Sequence, residues 1–249
     1  MPDRAGSRQA AVRTAVISGA ARGFGAALCS TLLADGWTVY GIVRPGSPVL
    51  DGAAACRLEW DISLPCPPEV AAALARARID VVVNNAAVGS SQNSLFDVDP
   101  DAVTAALNNN VAGAVRVTRA CLGGLLASGE RPHRPLVINM SSRLGSAALQ
   151  ASGRFAGFGT SYSYRLSKAA LNMLTLSLHE EFGGQLDVWS VHPGILKTDM
   201  GRTGAAKDPV AAARELLSEM TIQSSGGPSA RSGQGPRFLD LGSRRDLPW

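Results

Sequence analysis

Short apolar runs alternate with longer amphipathic stretches along most of this chain. Residues 12–18 form a run rich in β-branched side chains, the pattern of a buried strand. They lead into Ser18-Gly19-Ala20-Ala21-Arg22-Gly23-Phe24-Gly25 and an apolar-periodic helix to residue 34, stopped at Asp35-Gly36. A second strand is expected over 37–43, a loop over 45–54, and a third strand over 56–60 ending at Asp61. A short alanine-rich helix over 69–77 follows Pro65-Cys66-Pro67-Pro68, and the strand 79–83 runs into Asn84-Asn85-Ala86-Ala87. A long helix over 101–126 is interrupted by Asn108-Asn109-Asn110-Val111-Ala112-Gly113, residue types that weaken a helix interior. The strand 136–140 delivers Ser141-Ser142-Arg143-Leu144-Gly145. Residues 146–160 show no period and read as a loop, and a helix spans 161–182 with Gly183-Gly184 as its stop. A sixth strand over 186–191, a helix from Asp208-Pro209 to residue 220, a Gly/Ser/Pro stretch over 224–236 and a last strand over 237–241 complete the order.

Strands alternating with helices predict an α/β fold: one Rossmann-like, doubly wound parallel sheet of about seven strands with helices on both faces. No repeat or linker divides the chain, so residues 1–249 are expected to form one nucleotide-binding domain behind a flexible lead of residues 1–11. In such sheets ligands sit beyond the carboxyl ends of the strands. Gly19, Asp61 and Asn84 all fall at that edge.

The glycine turn has the context of a pyrophosphate site. Glycines let the backbone turn tightly and approach the phosphates, and the following helix start offers N–H groups and a positive dipole end. At the end of the second strand, an acid would mark a preference for the unphosphorylated ribose of NAD. None is present there, and Arg44 follows Val43 while Arg22 sits inside the glycine turn. Two guanidiniums suit a 2′-phosphate, pointing to NADPH. Asp61 is a candidate acceptor for the adenine amine. Tyr164 and Lys168 stand four residues apart, on one face of their helix. An ammonium beside a phenol favours the phenolate, so this pair predicts a tyrosine whose pKa is lowered and which exchanges a proton at an oxygen atom. Tyr162 has Leu166 in the equivalent place and lacks that partner.

Composition narrows the partners. Lys and Arg exceed Asp and Glu by 24 to 20, with no basic run, so a nucleic-acid or membrane-surface role gains no support. Cys29, Cys56, Cys66 and Cys121 are widely spaced with no CxxC pair, which predicts neither zinc nor a disulfide framework but reduced, mostly buried thiols in a cytoplasm. No metal is expected. Neither a signal peptide nor a bilayer-spanning run is found. The bias to Ala, Arg, Gly and Pro points to a GC-rich bacterial genome.

The ordered motifs Ser18-Gly19-x-x-x-Gly23-x-Gly25, Asp61, Asn84-Asn85-Ala86, Asn110, Ser142, Tyr164-x-x-x-Lys168 and Pro193-Gly194 resemble the short-chain dehydrogenase/reductase family over nearly the whole chain. The stretches 138–142, 162–168, His192-Pro193-Gly194, Lys197-Thr198-Asp199-Met200 and Leu247-Pro248-Trp249 are similar to its C-factor/sniffer-type carbonyl reductases. That resemblance implies Tyr164 as proton donor to a substrate carbonyl and Lys168 as holder of the nicotinamide ribose. It implies Ser142 as a second donor to the same oxygen, chosen over Ser141 because Gly145 follows it by three residues. Asn110 would break its helix to admit a proton-relay water. Cofactor contacts are implied from Gly19, Arg22, Gly23, Phe24, Gly25, Arg44, Asp61, Ile62, Asn85, Ala86, Ala87, Tyr164, Lys168, Pro193, Gly194, Ile195 and Thr198. Two departures stand out: Ala87 where many members carry glycine, and the 22 positions from Ser142 to Tyr164, a longer gap than most members have. The extra residues, 149–160, are expected to shape the substrate entrance, with Phe155 and Phe158 as wall candidates.

The implied activity is NADPH-dependent reduction of a ketone or aldehyde, of the kind that tailors natural products, with homodimers or homotetramers as the family's usual assemblies. A cofactor-binding signalling protein and an NAD-dependent alcohol dehydrogenase are the alternatives, disfavoured respectively by the intact Asn110, Ser142, Tyr164 and Lys168 and by Arg44.

Overall fold

A computed structural model describes residues 12–47, 55–89, 92–127, 133–159, 161–198, 207–224 and 235–249. The lead 1–11, most of the loop 45–54, the motif residues Asp199 and Met200 with the rest of 199–206, and residues 225–234 lie outside the described residues.

Among the described residues, eight strands form one sheet: β1 (Thr14–Ser18), β2 (Thr38–Val43), β3 (Ala55–Glu59), β4 (Val81–Asn84), β5 (Leu136–Met140), β6 (Asp187–His192), β7 (Arg237–Asp240) and β8 (Arg245–Asp246). Their order is β3-β2-β1-β4-β5-β6-β7-β8. All pairs are parallel except β7 with β8. The pattern reading of about seven strands missed β8, a two-residue antiparallel return too short and too charged to show a period. Arg237 Nε donates to Asp246 Oδ1 at 3.0 Å across it. The order reverses between β1 and β4, which opens a crevice at their carboxyl ends.

The described residues also form seven α-helices: α1 (Gly23–Ala34), α2 (Pro68–Arg76), α3 (Pro100–Leu107), α4 (Gly113–Leu125), α5 (Ala147–Ala151), α6 (Tyr162–Phe182) and α7 (Pro209–Ser224). Strand side chains alternate between two cores. Ala15, Ile17, Val81, Val83 and Ile138 pack with Leu28, Leu32 and Leu216 of α1 and α7. Val16, Val82 and Val137 pack with Leu74, Val117 and Leu125 of α2 and α4. This two-sided burial explains why the strands read as continuous apolar runs. No described helix is long and apolar enough to cross a membrane.

Two predicted irregularities resolve differently. The Asn-rich interruption is a π-helical segment, Asn108–Ala112, inserted between α3 and α4 without breaking the axis. Arg116 steadies it, donating to Asn108 Oδ1 at 2.9 Å and to the Ile62 carbonyl at 2.9 Å. The segment 146–160 is not the plain loop its sequence suggested. Ser146 caps α5 by accepting from Leu149 N at 3.1 Å, and Ala148 N donates to the Trp249 carbonyl at 2.9 Å. That second anchor comes from about a hundred residues away, where local periodicity cannot report it. The thiols also divide: Cys29 and Cys121 are buried, Cys66 is half-buried and Cys56 is exposed.

A buried polar chain ties β4, β5 and β6 to α6. Asn84 Nδ2 donates to Asn139 Oδ1 at 2.8 Å, and Asn139 Nδ2 donates to Thr175 Oγ1 at 2.8 Å. Thr175 and Ser190 share a 2.8 Å hydrogen bond, and Ser190 donates to Asn172 Oδ1 at 3.0 Å. Asn139 is fully buried. Removing its amide orphans partners on both sides, each worth about 1–3 kcal/mol when left unsatisfied. Asn139→Ala is therefore expected to lower unfolding free energy by about 2–4 kcal/mol in urea denaturation. An unchanged midpoint would show that the chain of bonds does not hold the sheet to α6.

Candidate active site

The glycine turn closes tightly on the end of β4. Ser18 Oγ accepts from Asn85 N at 3.0 Å and Ala86 N at 3.1 Å, and Asn85 Nδ2 donates back to the Ser18 and Gly19 carbonyls at 3.0 and 3.2 Å. Gly19 has φ +68°, and a Cβ there would lie 2.8 Å from Ala86 Cα. A Cβ at Gly25 would lie 2.1 Å from the Gly19 carbonyl oxygen. Only glycine lets these three segments pack this closely.

The start of α1 is left open beside that turn. Its N-cap, Arg22, makes no side-chain cap bond and the first turn carries no acid. The N–H groups and the positive dipole end therefore face the crevice without an internal counter-charge. Thr198, beyond β6, stands opposite Gly23, whose added Cβ would be 3.3 Å from Thr198 Cγ2. Phe24 is buried beneath the turn. Along the same edge, Ala86 and Ala87 are half-buried, Gly194 has φ +97° after Pro193, and Ile195 is exposed.

Arg22, at the start of α1, and Arg44, just past β2, are both exposed. Asp61 is engaged locally: its Oδ1 accepts from Ser63 N at 2.9 Å and Ser63 Oγ at 2.7 Å. Those bonds, chiefly the hydroxyl's, hold its carboxyl below the usual range, with a smaller contribution from nearby Arg44. Ile62 is buried and packs over Gly113 just past the π-segment.

Four of the predicted side chains gather where β5 meets α6. Ser161 caps α6 by accepting from Tyr164 N at 3.3 Å. The Ser142 hydroxyl lies close enough to the Tyr164 phenol to lower its pKa and accepts from Leu144 N at 3.2 Å, while Ser141 is committed elsewhere and donates to Asn172 Oδ1 at 2.6 Å. Lys168 Nζ is 5.5 Å from the centre of the Tyr164 ring and donates to the Met140 carbonyl at 2.7 Å. Asn110, in the π-segment, is buried; its Oδ1 accepts from Val88 N at 2.8 Å, and its Nδ2 donates to the Val88 carbonyl at 2.8 Å and to Ser167 Oγ at 2.9 Å. It thus pins the β4 exit loop to α6, one residue before Lys168. Tyr162 lies on another face of α6 and is 39% exposed.

The electrostatics correct one expectation. The spacing of Tyr164 and Lys168 predicted a lowered tyrosine pKa, but burial raises it, and the Ser142 hydroxyl opposes that rise only in part. Burial also pushes Lys168 down to about 8. The ammonium sits against a carbonyl with its carbon stem along the ring, so desolvation outweighs the one-turn proximity. At neutral pH the phenol keeps its proton and the lysine is still mostly charged.

Pattern reading also passed over the residues that hold this cluster in place. Asn139, Asn172, Thr175, Ser190 and Ser167 are all buried, and all bond within the site or one step from it. Asn139 did leave a trace, as an amide inside the apolar run Leu136–Met140. Asn172, one turn beyond Lys168 on the same face, left another.

A family model described as short chain dehydrogenase matches residues 13–208. The chain belongs to the short-chain dehydrogenase family. Within this family of oxidoreductases it is 33% identical over 175 residues to the C-signal of Myxococcus xanthus, covering 69% of this chain and 93% of the relative. The carbonyl reductase Sniffer of D. melanogaster has the same fold, with a TM-score of 0.79 at 24% identity over 96% of this chain and 100% of that one. A carbonyl reductase of Pseudomonas aeruginosa PAO1, solved in complex with NADP, superposes with a TM-score of 0.74 at 26% identity, again over 96% and 100%. C-signal is thus among this chain's relatives, and Sniffer shares its fold.

The lowered Lys168 pKa has a measurable sign. Between pH 8 and 10.5 the unfolded chain holds a proton that the folded chain has lost, so stability rises with pH in that window. The burial penalty is present in full below pH 8. Unfolding free energy measured at pH 7 and pH 9.5 should therefore rise for wild type by about 2 kcal/mol relative to Lys168→Met. A parallel pH response in the two proteins would place the lysine in a more solvated setting.

Proposed function

We propose that this short-chain dehydrogenase reduces a ketone or aldehyde to an alcohol with NADPH as hydride donor. The observation that carries this reading is the meeting of Ser142, Tyr164 and Lys168 at the carboxyl edge of the sheet, on the same crevice as the uncapped start of α1. The cradle fits a dinucleotide: glycines stand where any Cβ would collide, and open N–H groups suit a pyrophosphate. Gly19, Gly23, Phe24 and Gly25 would line the pyrophosphate, with Thr198 opposite. Asn85, Ala86, Ala87, Pro193, Gly194 and Ile195 would border the ring-bearing half, and Asp61 and Ile62 the adenine. Arg22 and Arg44 would take the 2′-phosphate. NADP in the complex of the Pseudomonas carbonyl reductase agrees with that choice. When bound, NADPH would supply the hydride to the carbonyl carbon.

The chain's own groups handle the oxygen. Tyr164, kept protonated by burial, donates its proton to the developing alkoxide, and Ser142 donates a hydrogen bond to the same atom. The phenolate left behind lies beside the Lys168 ammonium, which stabilises it until a proton returns from solvent through the Lys168 and Asn110 side of the site. A raised phenol pKa suits this direction: it secures the donor at neutral pH, where a tyrosine tuned down would already have lost part of its proton.

Tyr164→Phe should lose turnover of an aldehyde panel by a hundredfold or more while NADPH affinity stays within about twofold. Turnover close to wild type would overturn the assignment of the proton donor. The similarity to C-signal favours a second reading, a cofactor-binding signalling protein with little turnover. It predicts NADPH binding without measurable ketone or aldehyde reduction in wild type.

Cofactor choice is tested by fluorescence titration with NADPH and NADH. Wild type should prefer NADPH, and Arg44→Asp should weaken NADPH by about tenfold while leaving NADH unchanged, the loss expected for one charge-assisted phosphate contact. Equal affinities that the substitution does not alter would overturn the choice of NADPH.

A further inference from the structure

The insertion between Ser142 and Tyr164 walls an open pocket of about 640 Å³ against the start of α6. Its lining includes none of Ser142, Tyr164 and Lys168. Tyr162, Arg165, Leu166 and Ala169 line it, a helix face turned away from Tyr164 and Lys168. The partition between the pocket and Lys168 is backbone: a Cβ on Gly145, which borders the cavity, would sit 2.6 Å from the Lys168 carbonyl carbon. Phe155, 5% exposed, forms part of the opposite wall, with Phe158 tilted against it at 5.7 Å. Of the two expected entrance residues, Phe155 therefore faces this cavity.

The walls are mostly apolar, yet they contain a cation without a counter-charge. Arg165 makes one long hydrogen bond, from Nη1 to Gln150 Oε1 at 3.3 Å. Its Nε is buried with no partner, and it joins no ion pair among the described residues. None of the described lining residues is acidic. Arg165 is half-buried, so its guanidinium loses part of its hydration without gaining an anion, and a carboxylate would offset that loss with short, charge-assisted bonds. The volume falls in the range of small-molecule sites, which combine apolar walls with few polar groups that fix orientation.

We propose that this cavity binds an amphipathic carboxylic acid, its carboxylate on Arg165 and its hydrocarbon body against Leu144, Phe155, Tyr162 and Leu166. The site is distinct from the catalytic crevice and stands whether or not the chain is a reductase.

Calorimetric titration of the full chain with octanoate and with 4-phenylbutyrate, each with and without saturating NADPH, tests it. One or both acids should bind wild type, and the stronger of the two tells an alkyl from an aryl body. Arg165→Gln should weaken that acid by about tenfold or more, and 1-octanol should bind wild type more weakly than octanoate by a similar factor. Ala169→Trp, which fills the cavity from the helix side, should abolish binding, and both variants should keep wild-type NADPH affinity as the check that they fold. Saturating NADPH should leave acid binding unchanged. Absence of binding at a few millimolar acid, equal binding by Arg165→Gln, or displacement by NADPH would each overturn the proposal. A dimer that covers this face would appear as the first of these outcomes.

Discussion

The catalytic half of this molecule depends on how closely α6 lies against the end of β5. The backbone of Gly145 touches that of Lys168, and no side chain can stand between them. On the next turn Asn172 accepts from Ser141 and donates to the Gly145 carbonyl at 3.0 Å. The distance from β5 to α6 is therefore set by backbone contact and fixed by amide bonds, both within a core that excludes water. Ser142 and Tyr164 meet because of it. Were the helix held only by apolar packing, it could slide or rotate with little penalty, whereas each bond in the polar chain from Asn84 to Asn172 fails if the register changes. The same burial that makes these bonds stringent raises the pKa of Tyr164 and lowers that of Lys168. Positioning and proton affinity thus have one physical origin.

Much of this was legible locally. Alternating periods gave the strand and helix order, because a parallel sheet buried on both faces needs apolar runs. Gly19, Gly23 and Gly25 marked the turn, since a close backbone approach excludes every other residue. The π-segment announced itself as a broken rule, three asparagines and a glycine inside a helix. What escaped was non-local. α5 is anchored by the Trp249 carbonyl, and β8 exists only because β7 is there to pair with it. The bonds of Asn139 and Thr175 cross between elements that sequence spacing cannot relate.

The error over Tyr164 is the instructive one. Helical spacing correctly placed Lys168 one turn away on the same face, and from that a charge effect on the phenol was inferred. Spacing reports neighbours but not dielectric. Lys168 is 3% exposed, and its ammonium is held by the Met140 carbonyl. Desolvation, which spacing cannot report, therefore decided the direction for both groups. A motif can place two side chains together, but the burial of the surrounding core determines which of them carries the proton.

The two halves of the crevice are built to different tolerances. Around Tyr164 the polar side chains Ser142, Asn110, Ser167 and Lys168 are buried and cross-braced, while the end that would hold the adenosine is formed by exposed arginines and an aspartate capped by its neighbour Ser63. A reacting carbonyl needs donors held within a fraction of an ångström, but a phosphate can be held by flexible charges that adapt to it. The insertion extends this division of labour across α6. One face of the helix is locked to the sheet and presents Tyr164 and Lys168. Another face is covered by a segment anchored through Ser146 to the Pro248 carbonyl and through Ala148 to that of Trp249. Gly145 belongs to both walls, so the segment that covers one face of α6 is in direct contact with the backbone that carries Lys168.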